Sequence, residues 1–231
     1  MAVFSVLVMT AAPPGLAAEA GGAYAKIDGR EALLRSVELF LNRDNVKQIQ
    51  LAVLPDMLEE AKRKFGAHLG FSGVKLISGG PKWADQIKAA AEKISPDATH
   101  VIVHDAARPA VPFSDIDALM EAAEKSDAVV LASPLRAPLV EVDEGGGAVS
   151  YHLPGSFMHV LTPQAFSKAK FAEMAASGKD LHPSQVRLLK GSALNVRLGG
   201  GGDAGLVKAM INMLPKPKIK PPSSPFEEAQ W

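Results

Sequence analysis

Residues 100–112 read HVIVHDAARPAVP. His100–Val103 is a short β-branched run, the signature of a strand covered on both faces. An acid, Asp105, follows almost at once, then two alanines, Arg108 and Pro109. In an open α/β sheet, ligands bind beyond the carboxyl ends of the strands. An acid and a base at such an end have two readings. A carboxylate there can hold a divalent cation while the guanidinium attracts phosphate, which suits a metal–phosphate complex such as a nucleoside triphosphate. Alternatively, the two form a buried ion pair that closes a turn. These residues alone leave both open.

Working outward, strand-like and helix-like segments alternate. Val3–Met9 reads as a buried strand. Residues 31–41, EALLRSVELFL, place Leu33, Leu34, Val37 and Leu41 on one helical face. Ile49–Leu54 reads as a strand, Met57–Phe65 as a helix, Val74–Ile77 as a strand closed by SGG, and Lys82–Ile94 as a helix. After HDAARP, Ser114 with Asp117 three positions on predicts a capped helix to about Lys125. Ala128–Ala132 is strand-like. Helices are expected over Ser167–Ala176, Gln185–Leu189 and Asp203–Leu214, with a strand at Ala193–Leu198. This order predicts an α/β fold, a mostly parallel twisted sheet flanked by helices in the Rossmann-like manner. Residues 138–154, PLVEVDEGGGAVSYHLP, break the alternation. Two short strands about a glycine turn predict a hairpin, either an arm projecting from the core over about 136–156 or an edge pair. The expected organisation is a single domain over 1–214, followed by a Pro- and Lys-rich tail at 215–231 of the flexible kind.

Composition narrows the function classes. The chain has 231 residues, 25 Lys and Arg against 25 Asp and Glu, and no cysteine. A net charge of zero supplies no global attraction to nucleic acid or anionic membrane, so an anion site must be local. The lack of cysteine excludes disulfides and thiolate chemistry and fits a cytoplasmic protein. The amino-terminal apolar run has no preceding Lys or Arg, unlike a secretory signal, and is too short to span a bilayer. If the strands are parallel, four segments converge at one edge: the loop after Met9, SGG at 78–80, HDAARP at 104–109 and SPLR at 133–136.

VHDAARP at 103–109, TPQAF at 162–166 and ALNVRLG at 193–199 resemble the 2-C-methyl-D-erythritol 4-phosphate cytidylyltransferase family of isoprenoid precursor synthesis. The resemblance runs in order from the first strand to Leu214. It implies a nucleotidyltransferase that joins a cytidylyl group from CTP to a sugar-alcohol phosphate and releases pyrophosphate. It implies Mg2+ or a similar divalent cation, and a homodimer through the hairpin arm. Carried onto this sequence, it puts Ala11, Ala12 and Gly15 against the nucleotide, and Lys26 on the triphosphate. Gly79 and Gly80 would let the backbone approach the base, with Ala107 and Arg108 also on the nucleotide side. Asp105 would hold the metal and help place the substrate. Arg136 and Thr162 would lie near the substrate, and Arg197 stands where the family has a phosphate-binding Lys.

The chain departs from the family pattern in places. Its first loop, AAPPGLAAEAGGAYAKIDG at 11–29, has Pro13 where a glycine is expected, and residues 16–25 contain no cation. Proline has no N–H to offer a phosphate. Gln86 stands at an expected Ser, Ala137 and Pro138 replace an Asp-Thr pair, and Pro154 aligns with an Arg. Each lost charge-assisted contact costs roughly 1.5–3 kcal/mol. The alternatives are therefore a relative that kept the sheet and lost turnover, or a nucleotidyltransferase with another nucleotide or acceptor. A glycosyltransferase-like reading of DID at 115–117 is weaker, because the motif opens a helix. His104 is expected to make a structural hydrogen bond, and Trp83 to pack.

Overall fold

The computed structural model describes residues 1–16, 22–199 and 203–215. The expected tail, part of the first loop and most of the GGGG run at 199–202 therefore lie outside the described residues. The strands are β1 (Phe4–Met9), β2 (Lys26–Ile27), β3 (Arg30–Glu31), β4 (Val46–Val53), β5 (Val74–Ser78), β6 (His100–Asp105), β7 (Ala128–Pro134), β8 (Leu139–Val142), β9 (Ala148–His152), β10 (Met158–Ser167) and β11 (Arg187–Lys190). The helices are α1 (Ala32–Glu38), α2 (Leu58–Phe71), α3 (Trp83–Ala91), α4 (Phe113–Ala123), α5 (Lys168–Ser177) and α6 (Ala204–Met213).

Seven strands form the main sheet in the order β11-β7-β10-β6-β1-β4-β5. All pairings are parallel except the two made by β10. β1 is buried at every position, as its apolar run predicts. Alternation along it splits the core: Phe4, Val6 and Val8 join the side chains of α1, α2 and α4, while Leu7 and Met9 face α3 and α5. Burying a side chain such as Leu7 fully contributes roughly 1.5–3 kcal/mol. After β1 the chain moves to β4 and β5 on one side, then returns to β6 on the other. The crevice between β1 and β6 is thus the topological switch point, where such sheets take ligands.

Several local expectations need correction. Residues 185–189 are not a helix: a 3-10 turn over Pro183–Gln185 leads into β11, which adds to β7 in parallel. The apolar residues there are too few to separate the two periods, and backbone pairing with β7 decides. Ala193–Leu198 forms no strand; it crosses the carboxyl edge of the sheet, tied by Leu198 N–H to Ala107 O at 2.8 Å. The helix after HDAARP begins at Phe113 with Pro112 before it and no side-chain cap, so Ser114 is not the cap. Asp117 instead pairs with Arg43. α2 runs to Phe71, past Gly66 and Gly70, because Ala61, Phe65 and Leu69 hold its inner face in the core.

β2 and β3 form a small hairpin turned by Asp28 and Gly29, both at positive φ (52° and 77°), the pairing that matches strand twist. β8 and β9 pair only with each other, as the glycine turn predicts. The Asp143 carboxylate accepts the Gly145 and Gly147 N–H groups at 2.9 and 2.7 Å and shapes their turn. This arm and the chain after it leave large apolar side chains exposed, among them Tyr151 and Leu153, each at 80%.

Candidate active site

Parallel register sets Met9 opposite Asp105, and Ala106 N–H bonds Met9 O at 2.8 Å, so the loops after β1 and β6 leave the sheet side by side. Beyond Gln164, β10 can no longer continue its ladder with β6, since Pro163 has no N–H. The Thr162 hydroxyl takes over and accepts the Asp105 N–H at 3.0 Å. Asp105 then closes its own turn: Oδ1 accepts Ala107 N–H at 2.9 Å, and Arg108 N–H reaches Asp105 O at 3.0 Å. The two alanines of HDAARP are buried where this turn packs.

The crossing segment 193–198 completes the arrangement. Arg197 Nε donates to Asp105 Oδ2 at 2.7 Å, and Arg108 Nε stands 3.9 Å from the same oxygen. Arg108 donates through one terminal nitrogen to Asn195 O at 2.9 Å, while its buried Nε has no hydrogen-bond partner. Asn195 Nδ2 donates to Thr162 O at 2.7 Å, which ties the segment to β10. Burial pushes the Arg108 pKa down; the Asp105 charge opposes this and the Arg197 charge adds to it. Arginine nevertheless stays charged. Two guanidinium groups around one carboxylate leave net positive charge.

His104 is fully buried, and burial pulls its pKa down to about 3, with Arg108 adding to the fall and the hydrogen bond to Arg108 O opposing it. The neutral ring therefore has one donor. Nε2 lies 3.1 Å from Arg108 O, which can only accept, so Nε2 carries the hydrogen and Nδ1 accepts the Thr162 hydroxyl at 3.2 Å. His104 is a structural link here, as expected.

A cleft of about 1020 Å³ opens beside this network. Arg108, Arg136, Thr162 and Arg197 line it, so four sequence-expected residues meet on one surface. Pro13 and Pro14 also line it. Trp83 touches the cleft but is 6% exposed and sits mainly in the core with α3. Ala11, Ala107 and Gly79 are buried, Ala12 and Gly80 are half-buried, and Gly15 is exposed; none of these six lines the cleft. Lys26 is apart from it: its side chain is 66% exposed, with Nζ 3.9 Å from Glu31, beside a separate recess of about 150 Å³. Asp105 is 1% exposed and lies behind the arginines.

Both Asp105 oxygens are thus engaged. No group of three or more His, Asp or Glu side chains among the described residues is arranged to hold a metal ion. A divalent ion ligated directly by Asp105, the role expected for it, would have to share the carboxylate with the Arg197 guanidinium or displace it from Oδ2, against the charge of both arginines. The DID carboxylates are committed elsewhere, Asp115 to Ser192 N–H at 2.7 Å and Asp117 to Arg43. Sequence reading passed over Asn195, though it lies within the ALNVRLG stretch.

The sequence matches the family model described as IspD, 2-C-methyl-D-erythritol 4-phosphate cytidylyltransferase, over residues 5–206. The chain belongs to this family. It is 27% identical to the enzyme of that name from Rhodopirellula baltica over 232 aligned residues, covering 89% of this chain and 94% of that one. Identity to the Bacillus velezensis enzyme of that name is also 27%, over 89% of this chain and 95% of the relative. Among solved structures, the cytidylyltransferase from Thermus thermophilus superposes with a TM-score of 0.69 at 24% identity, over 89% of this chain and 98% of that one. The 4-diphosphocytidyl-2C-methyl-D-erythritol synthase from Anaerococcus prevotii gives 0.73 at 18% identity, over 91% and 99%. These likenesses agree with the sheet and helix layers described above. No described helix is long and apolar enough to cross a membrane.

Proposed function

We propose that the chain transfers the cytidylyl group of CTP to 2-C-methyl-D-erythritol 4-phosphate and releases pyrophosphate. An oxygen of the acceptor phosphate attacks the α-phosphorus, and the bond from that phosphorus to the bridging oxygen of pyrophosphate breaks. No proton need be removed from an ionised phosphate, so a neutral His104 is no obstacle. The protein's task is positioning and charge neutralisation. One observation carries the reading: Arg108, Arg136 and Arg197 share a cleft with Thr162 at the carboxyl ends of the strands. Arg197 and Arg108 are held from behind by Asp105, Arg197 Nε at 2.7 Å and Arg108 Nε at 3.9 Å from its Oδ2. A divalent cation bound with the triphosphate would supply further charge neutralisation there, and no described residue is assigned to it.

A second reading has its own support. Pro13 and Pro14 give the cleft no N–H groups, and Lys26 stands outside it. On this reading the chain binds a nucleotide without turning it over, or takes another acceptor. Calorimetric titration with CTP, ATP, GTP and UTP, with and without magnesium, separates the cases. Selective heat with CTP, followed by pyrophosphate release on adding the acceptor, is the outcome expected of the enzyme. Heat without release supports the second reading, and no heat with any nucleotide contradicts both. The proposal includes a cytoplasmic homodimer joined through the exposed apolar arm, β8 and β9.

A further inference from the structure

Val130, Ala132 and Pro134 alternate along one face of β7, with Leu188 of β11 opposite Val130, and Val160 and Met158 of β10 opposite Ala132 and Pro134. Toward the amino end of β7, α5 covers this face, where Phe171 and Met174 pack with Val130 and Phe166. Beyond α5, Met158, Val160 and Leu188 are exposed, and all three line the same cleft as Arg108, Arg136 and Arg197. An apolar sheet face beside three guanidinium groups suits an occupant with both aromatic and acidic side chains. A sugar-alcohol phosphate, polar almost throughout, is a poor cover for the apolar part.

This chain carries such a segment. Residues 215–231 read PKPKIKPPSSPFEEAQW and separate their charges: Lys216, Lys218 and Lys220 come first, Phe226, Glu227, Glu228 and Trp231 last. The arginines repel the first part and attract the second. Leu206, in the first turn of α6, lines the cleft. The helix is about 15 Å long. From Pro215, just past its other end, the chain to Phe226 can span up to about 36 Å, enough to return.

We propose that residues 226–231, FEEAQW, dock in the cleft of their own chain, Phe226 and Trp231 on Met158, Val160 and Leu188, and Glu227 and Glu228 toward the arginines, where they compete with phosphate ligands. The proposal needs the cleft and not the transfer reaction, so it goes beyond the cytidylyltransferase reading.

Acrylamide quenching of Trp231 fluorescence in the full chain reads the docking, with Trp83→Phe removing the other tryptophan. If Trp83→Phe fails to fold, the difference between the wild type and Trp231→Phe gives the same quantity. The expected docked fraction is about nine-tenths, so Trp231 is quenched several-fold more slowly than N-acetyltryptophanamide, and Phe226→Ser, which leaves every charge in place, tightens pyrophosphate binding about tenfold. Glu227→Gln with Glu228→Gln should do the same. Trp231 quenched as freely as the free amide, or pyrophosphate affinity unchanged in both variants, overturns the proposal. Protection that vanishes on dilution places the segment in a second copy and overturns docking within one chain. Protection without CTP turnover in any of these variants supports the proposal and contradicts the enzyme reading alone.

Discussion

His104 sits where a charge would be expensive: it is buried, neutral and wedged between Thr162 and Arg108 O. Its folded pKa of about 3 lies below the ordinary histidine value of 6.5. Between these values the unfolded chain takes up a proton that the folded one refuses. His104 thus favours folding fully above about pH 6.5 and loses that contribution as the pH falls toward 3. The slope is at most about 1.4 kcal/mol per pH unit. Thermal melts of the wild type and His104→Gln between pH 7.5 and 4.5 should show the variant losing less stability on acidification. Equal slopes would mean that the ring is protonated in the fold. Asp105 supplies a second prediction. Removing Arg197 strips a buried carboxylate of its nearest cation, so Arg197→Met should cost about 3 kcal/mol in urea unfolding. The double variant Asp105→Asn with Arg197→Met should cost less than the sum of the two singles, because they share one interaction.

At the scale of elements, the arm and the first loop make separate predictions. Tyr151 and Leu153 project from the arm region with 80% of their surface exposed. The pair Tyr151→Glu and Leu153→Glu should shift the protein from dimer to monomer in light scattering with little change in helix content; a wild type that is already monomeric would contradict the arm's proposed role. Gly22 marks where the first loop returns to the core. A Cβ there would stand 2.5 Å from the Leu198 carbonyl oxygen, a backbone atom that cannot swing aside. Gly22→Ala should therefore cost about 1–3 kcal/mol, measured as a shift in the denaturation midpoint. These elements also explain what the sequence could convey. β1 and β6 are covered on both faces, so each carries consecutive apolar residues, Val6–Met9 and Val101–Val103, that announce it. β11 is a four-residue edge strand defined by its pairing with β7, and no period in four residues encodes that. The crossing segment 193–198 is held by Asn195 and Leu198 rather than by a ladder, and its alternating pattern imitates a strand. HDAARP was legible as a site because its members are contiguous. Asn195 was not, since its partner Arg108 lies 87 residues away.

Across the whole molecule, sheet order and charge act together. The order of strands opens a crevice beside β1, the turn of HDAARP fills its floor, and the carboxyl-terminal crossing brings Arg197 to Asp105. A chain with no net charge thereby concentrates guanidinium groups on one cleft. Pro13 and Pro14 also line this cleft and have no N–H to give, so on the proposed reading the arginines would carry the phosphate contacts. The most direct measurement is pyrophosphate release from CTP in the presence of magnesium and 2-C-methyl-D-erythritol 4-phosphate, with UTP and ATP as controls and Arg108→Ala alongside. Release selective for CTP, dependent on the acceptor and lost by at least about a hundredfold without the Arg108 side chain is the expected result. No release with any of the three nucleotides, or full release from Arg108→Ala, would contradict the account.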